Sequence, residues 1–222
     1  MYNSKDMNSS KTIKMFAVAV LFTAMKIQAV LAGDPVILAF GDSLTAGYGL
    51  MPEQGFTSQL EQALNRQGHN ITVINGGVSG DTTSGGLSRL EWVLANAKPD
   101  LVIVELGAND ALRGIAPAIT RRNMEKILAI LAKKKLKTLV AGMMAPPNMG
   151  DEYVIKFNRI FPELAIKYKN RLYPFFLEGV AGNPELNQND AMHPNSAGVA
   201  VIVQKIIPHI LNTLGKNPSS QQ

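Results

Sequence analysis

The sequence predicts a doubly wound, three-layer α/β/α domain, with a five-stranded parallel sheet in the order 2-1-3-4-5. Two patterns carry that expectation. From Asp34 onward, short β-type runs alternate with segments of helical periodicity, as crossover connections between parallel strands require. The runs are also almost continuously apolar, which suits strands covered on both faces. A third observation concerns chemistry. Four polar blocks follow four of the runs, so all fall on the carboxyl edge of the sheet, where doubly wound folds place their sites.

The first run, 36–40, leads into Gly41-Asp42-Ser43-Leu44. Phe56, Leu60, Ala63 and Leu64 then recur at helical spacing. The second run, 71–74, precedes a glycine-rich stretch, 76–86, that contains Ser79-Gly80-Asp81. The third, 101–106, ends at Gly107-Ala108-Asn109-Asp110. Met124, Ile127, Leu128 and Leu131 mark the next helix, which Thr120 could cap and which Lys133-Lys134-Lys135 would end, cations suiting the helix dipole there. A fourth strand is expected at 138–143, one helix at 151–169 and a fifth strand at 172–176. Asp190-Ala191-Met192-His193 then precedes a last helix, 196–211, in which Pro208 marks a kink.

The 222 residues suffice for one well-buried domain, expected at 33–214. Before it, Lys5, Lys11 and Lys14 precede the apolar run 15–25, and small residues surround Ala32. This is the pattern of a signal peptide, 1–32, cleaved after Ala32 to leave a periplasmic or secreted protein. Eleven apolar residues are too few to span a bilayer, which takes ~20, and Lys26 interrupts the stretch, so no stable membrane anchor is expected. The tail 215–222 reads as disordered. The leader carries four lysines against Asp6, a net +3, so the formal +5 falls to +2 in the remainder. No basic cluster interleaved with aromatics remains to bind nucleic acid. With no cysteine there is no disulfide, thiolate metal site or cysteine nucleophile.

The blocks supply the parts of an acyl-transfer site. A serine hydroxyl is a poor nucleophile until a positioned base takes its proton, and the oxyanion that forms needs donors aimed at it. His193 is one of three histidines, and Asp190 stands three residues before it, a spacing that brings a carboxylate to an imidazole. Ser43 would be the nucleophile, with oxyanion donors from the N–H groups of Ser43 and Gly80 and the side chain of Asn109. Taken singly, each block has a plainer reading: a strand-to-helix turn at Asp42-Ser43, glycine flexibility at Gly80, a turn residue at Asn109. Metal-dependent phosphoester hydrolysis is a competing class, but its sites usually gather several histidines, and this chain places one. A flavin or nucleotide module is disfavoured by the lack of a Gly-Lys-Ser/Thr ending or dinucleotide glycine spacing.

The stretches Gly41-Asp42-Ser43-Leu44-Thr45-Ala46-Gly47-Tyr48, Val78-Ser79-Gly80-Asp81-Thr82-Thr83, Glu105-Leu106-Gly107-Ala108-Asn109-Asp110 and Ala145-Pro146-Pro147-Asn148 resemble the SGNH (GDSL-type) hydrolases. Within that family they look like the exported bacterial arylesterase and thioesterase I/lysophospholipase L1-like branch. The resemblance spans nearly the whole chain after the leader. It implies a flavodoxin-like fold, no metal and no cofactor. It also implies Ser43, Asp190 and His193 as a triad, with Gly80 and Asn109 completing the oxyanion hole. Ala191 departs from the pattern, since many relatives have glycine there; at positive φ an alanine costs about 1 kcal/mol. The segment 112–117 resembles a mobile loop over the acyl site, making Leu112, Ile115 and Pro117 candidate substrate contacts. Met144, Pro146 and Pro147 are candidates for the opposite wall, methionine being adaptable to varied acyl groups, while plain core packing is the other reading of the methionines in 143–149. The expectation is hydrolysis of aryl and short-to-medium acyl esters, with thioesters and lysophospholipids in reach, by a monomer acting on small molecules. Deacetylation of cell-wall or capsular polysaccharide is the alternative.

Overall fold

Strands β1 (Val36–Gly41), β2 (Thr72–Gly77), β3 (Leu101–Glu105), β4 (Lys137–Ala141) and β5 (Arg171–Tyr173) form one sheet in the order β2-β1-β3-β4-β5. Every neighbouring pair is parallel. The computed structural model describes residues 33–216; the expected leader lies outside them, as does the tail beyond Lys216. The helices are α1 (Ser43–Ala46), α2 (Phe56–Arg66), α3 (Thr83–Ala97), α4 (Ala108–Leu112), α5 (Pro117–Lys133), α6 (Asp151–Asn158), α7 (Ile160–Lys167) and α8 (Ser196–Leu214). Helices α2 and α8 pack together as one layer, while α5 packs against α3, α6 and α7 in the other. The sheet between them is dry: Ile37, Leu38, Phe40, Val102, Ile103, Val104, Leu139 and Val140 are fully buried. The fold expected from the sequence is the one observed.

Four local expectations need correction. The strand placed at 71–74 runs on through Asn75-Gly76-Gly77, which the sequence suggested were loop. Glycine serves close approach there: a Cβ at Gly76 would lie 2.8 Å from Leu38 Cδ1, and one at Gly77 2.7 Å from Ala46 Cα. The helix expected at 151–169 is two, α6 and α7, broken at Arg159. Pro162 explains the break, since it has no N–H to give the Asn158 carbonyl and its ring crowds that oxygen. Thr120 does not cap α5; the helix starts at Pro117, whose fixed φ suits a first turn, and Thr120 is buried inside it. Helix α8 passes through Pro208 to Leu214, where Gly215 closes it in the left-handed conformation. Lys133 ends α5 as the cationic run suggested, and Lys135 takes positive φ in the turn to β4.

Candidate active site

The carboxyl edge gathers all four blocks around one cleft of about 660 Å³. Ser43 is the first residue of α1, immediately after β1, and Asp42 caps that helix by accepting from the Leu44 N–H at 3.0 Å. The Ser43 N–H therefore has no preceding carbonyl to bond and stays free for a ligand. Ser43 Oγ lies 3.0 Å from His193 Nε2, and His193 Nδ1 lies 2.6 Å from Asp190 Oδ2.

The Asp190–His193 loop is built by its own side chains. Asp190 Oδ1 accepts from the N–H groups of Met192 and His193 at 2.9 and 3.0 Å, which requires the chain to fold back at Ala191, at φ 58°. These bonds, then the one to the imidazole, hold the Asp190 carboxyl down at about 2, so it stays ionised beside His193. Asn195 then caps α8 by accepting from Gly198 N–H, giving the loop a rigid base.

Gly80 and Asn109 line the cleft together with Ser43. Gly80 has φ 80°, and its N–H finds no acceptor among the described residues. Asn109 lies in α4 and spends one Nδ2 hydrogen on Asp42 Oδ2 at 3.1 Å, leaving the other free. The two blocks are tied by Asp110, which is buried and accepts from Thr83 N–H at 2.8 Å, from Thr83 Oγ1 and from Thr120 Oγ1. Thr120 thus serves the site's scaffold instead of a helix end.

Of the expected wall residues, Leu112, Met144, Pro146 and Pro147 line the cleft. Ile115 and Pro117 do not. Ile115 is held by its carbonyl, which accepts from Tyr153 Oη at 2.8 Å, and Pro117 is committed to starting α5. Met143 is buried yet reaches the cleft, so it is both core and wall. No group of metal-ligating side chains occurs among the described residues.

Sequence reasoning missed the supports. Tyr48 packs against His193 with the rings tilted by 38° and their centroids 4.7 Å apart. Gln188 donates to the Tyr48 and Pro194 carbonyls at 2.8 and 3.0 Å and so joins the two loops that carry Ser43 and His193. Arg89 pairs with Asp81 at 2.7 Å, donates to the Gly41 and Gly76 carbonyls, and lies 4.2 Å over the Phe40 ring. Phe175 and Leu177 add to the apolar wall. Only Tyr48 carried a signal, as part of the Gly47-Tyr48-Gly49 turn after the serine block.

The pattern of the GDSL-like Lipase/Acylhydrolase family matches residues 39–201. Esterase TesA of Pseudomonas aeruginosa is 39% identical over 177 residues, covering 80% of this chain and 88% of its own. Thioesterase 1/protease 1/lysophospholipase L1 of Escherichia coli K12 is 35% identical over 164 residues, 74% of this chain and 77% of its own. The crystal structure of AlinE4, an SGNH-hydrolase family esterase, superposes with a TM-score of 0.70 at 47% identity, covering 83% of this chain and 98% of that one.

Proposed function

The chain belongs to the GDSL-like lipase/acylhydrolase family and is a carboxylic ester hydrolase; we propose that it works through an acyl-Ser43 intermediate on short-to-medium acyl and aryl esters. The single observation that carries this reading is the line Ser43 Oγ–His193 Nε2–Asp190, at 3.0 and 2.6 Å, opening into an apolar cleft. His193 takes the Ser43 proton as Oγ attacks the carbonyl carbon. The oxyanion is met by the Ser43 and Gly80 N–H groups and by the free Asn109 hydrogen. Asp190 fixes the tautomer of His193 and stabilises the imidazolium. As the tetrahedral intermediate collapses, His193 returns the proton to the leaving oxygen or sulfur. Water, deprotonated by the same His193, then cleaves the acyl-serine and restores both groups.

Leu112, Met143, Met144, Pro146, Phe175 and Leu177 give the cleft room and surface for an acyl chain beyond acetyl. Thioesters and lysophospholipids belong to the proposed range because the Escherichia coli relative is named for acting on both. The proposed setting is outside the cytoplasm, on the strength of the charged and apolar leader. The proposed working unit is a monomer, since one chain supplies every part of the site.

The test is hydrolysis of p-nitrophenyl esters from acetyl to dodecanoyl by wild type and Ser43→Ala. Wild type is expected to turn over several chain lengths and Ser43→Ala none. Equal rates in the two proteins would sink the acyl-serine mechanism. Turnover of acetyl alone would remove the longer-acyl substrates.

A further inference from the structure

A carboxyl group lies beneath Ser43 that none of these steps uses. Glu105 ends β3 directly opposite Gly41 in the β1–β3 ladder. Its side chain occupies the room that Gly41 leaves: a Cβ on Gly41 would stand 2.6 Å from the Glu105 carbonyl oxygen and run into the carboxyl as well. Glu105 Oε2 accepts from the Asp42 N–H at 3.3 Å and from Thr45 Oγ1 at 2.7 Å, gripping the turn on both sides of Ser43. Asp42 continues upward, its Oδ2 accepting from Asn109 Nδ2. Glu105 and Asp42 are both fully buried, and Glu105 Oε1 has no partner among the described residues.

We propose that Glu105 acts as a neutral carboxylic acid and is the positioning residue for both Ser43 and, through Asp42, the Asn109 amide. The proposal rests on the acyl-Ser43 reading. A buried carboxylate with one oxygen unpartnered is the costliest way to fill this space, and a neutral acid the cheapest that still accepts both bonds. Burial, then the neighbouring Asp42 charge, pushes Glu105 well above the usual carboxylate range. Burial likewise raises Asp42, to about 6. The other charges felt at Asp42 are His193, which favours its ionisation, and Asp81, which opposes it. Arg89 offers no relief, being engaged by Asp81 and by the Gly41 and Gly76 carbonyls. Ionising Glu105 therefore sets two buried negative charges against each other under the nucleophile. The turn and the Asn109 amide then lose their common anchor, and turnover falls on the alkaline side while substrate binding persists.

Glu105→Gln and Glu105→Ala decide this by kcat and KM against pH on a p-nitrophenyl ester. The neutral Glu105→Gln should retain most of the wild-type kcat and lack the alkaline fall. Glu105→Ala should lose about 10²-fold in kcat with little change in KM, the usual cost of a misplaced reacting group. Equal damage in both variants, an alkaline fall that survives in Glu105→Gln, or a fully active Glu105→Ala would overturn the proposal. Should Glu105→Ala not fold, infrared difference spectra of wild type and Glu105→Gln remain. A protonated-carboxyl band at neutral pH in the first and not the second supports the neutral acid, and no such band in wild type overturns it. The same spectra taken on Ser43→Ala are independent of turnover, so failure of the acyl-serine mechanism and failure of the Glu105 role stay separate.

Discussion

The two edges of the sheet solve opposite problems. At the amino edge, each helix must turn into the next strand, and every turn uses a left-handed residue that is not glycine: Asn70 before β2, where Gly68 is left-handed as well, Lys98 before β3, Lys135 before β4 and Lys169 before β5. Each is exposed and bears a strain of about 1 kcal/mol, which at the three lysines solvation and the helix dipole partly offset. At the carboxyl edge, positive φ falls on Gly80, Gly107 and Ala191, and buried polar groups (Asp42, Glu105, Asp110, Thr83) cluster beneath them. One edge keeps its charges in water and its strain at the surface. The other buries its carboxyl groups beneath the reacting atoms and gives positive φ to glycines, with the strained Ala191 left exposed. The difference teaches where this chain spends stability on geometry.

The sharpest way to break that contrast is at His193. His193→Ala should lower kcat by ~10⁶-fold on p-nitrophenyl esters with the melting temperature little changed, since among the described residues the ring's hydrogen bonds go to Asp190 and Ser43 of the site itself. A comparable loss from Lys135→Ala would erase the distinction between edges. Next in size, Asn109→Ala should cost ~10²–10³-fold in kcat with KM preserved, as one oxyanion donor does. A change confined to KM would mean Asn109 holds substrate and not the oxyanion.

Acidity offers a finer probe within the carboxyl edge. Asp42 is raised from 3.8 to about 6, so the folded state binds its proton more tightly than the unfolded chain. Its contribution is fully present below pH 3.8 and is lost as pH rises through about 6. Asp190, lowered from 3.8 to about 2, works the other way: its contribution is present above pH 3.8 and is lost as pH falls toward 2. Urea unfolding followed from pH 3 to 8 should show the Asp42 slope vanish in Asp42→Asn and the acid-side slope shrink in Asp190→Asn. Unchanged slopes in both variants would contradict the assignment. Smallest of all, Lys135→Gly should gain about 0.5–1 kcal/mol in the same assay with kcat unchanged, by relieving φ 57°.

The contrast also explains what was legible in the sequence. Three of the four blocks could be placed because each comes soon after an apolar strand, and strand ends fix direction; the fourth, Asp190 to His193, lies well beyond β5 and was placed by the last helix that it precedes. Ser43, Gly80, Asn109, Asp190 and His193 thus come together as chain order and sheet order imply. The residues that hold them were not legible. Glu105 read as part of the third strand and of the stretch Glu105 to Asp110, with no role of its own, and only the register against Gly41 reveals what its carboxyl faces. Arg89 and Gln188 act on carbonyls in segments 48 and 140 positions away, contacts that no local pattern announces. Thr120 looked like a cap because hydroxyls usually cap, whereas a buried carboxylate, Asp110, claimed it first. Ile115 and Pro117 sit in the right segment, but Tyr153 and the start of α5 fix their direction away from the cleft.

The hydrogen bond between Ser43 and His193 joins positions 150 residues apart, and Gln59 reaches Ser196 across 137. Closing so long a loop comes late on a folding path, because the chain entropy must be lost before the contact rewards it. Helical signal should return before α8 docks on α2, and ester hydrolysis only after it. During refolding from denaturant, catalytic recovery should therefore track the slowest phase, which makes a chromogenic ester a direct reporter of the last event in the birth of the native chain.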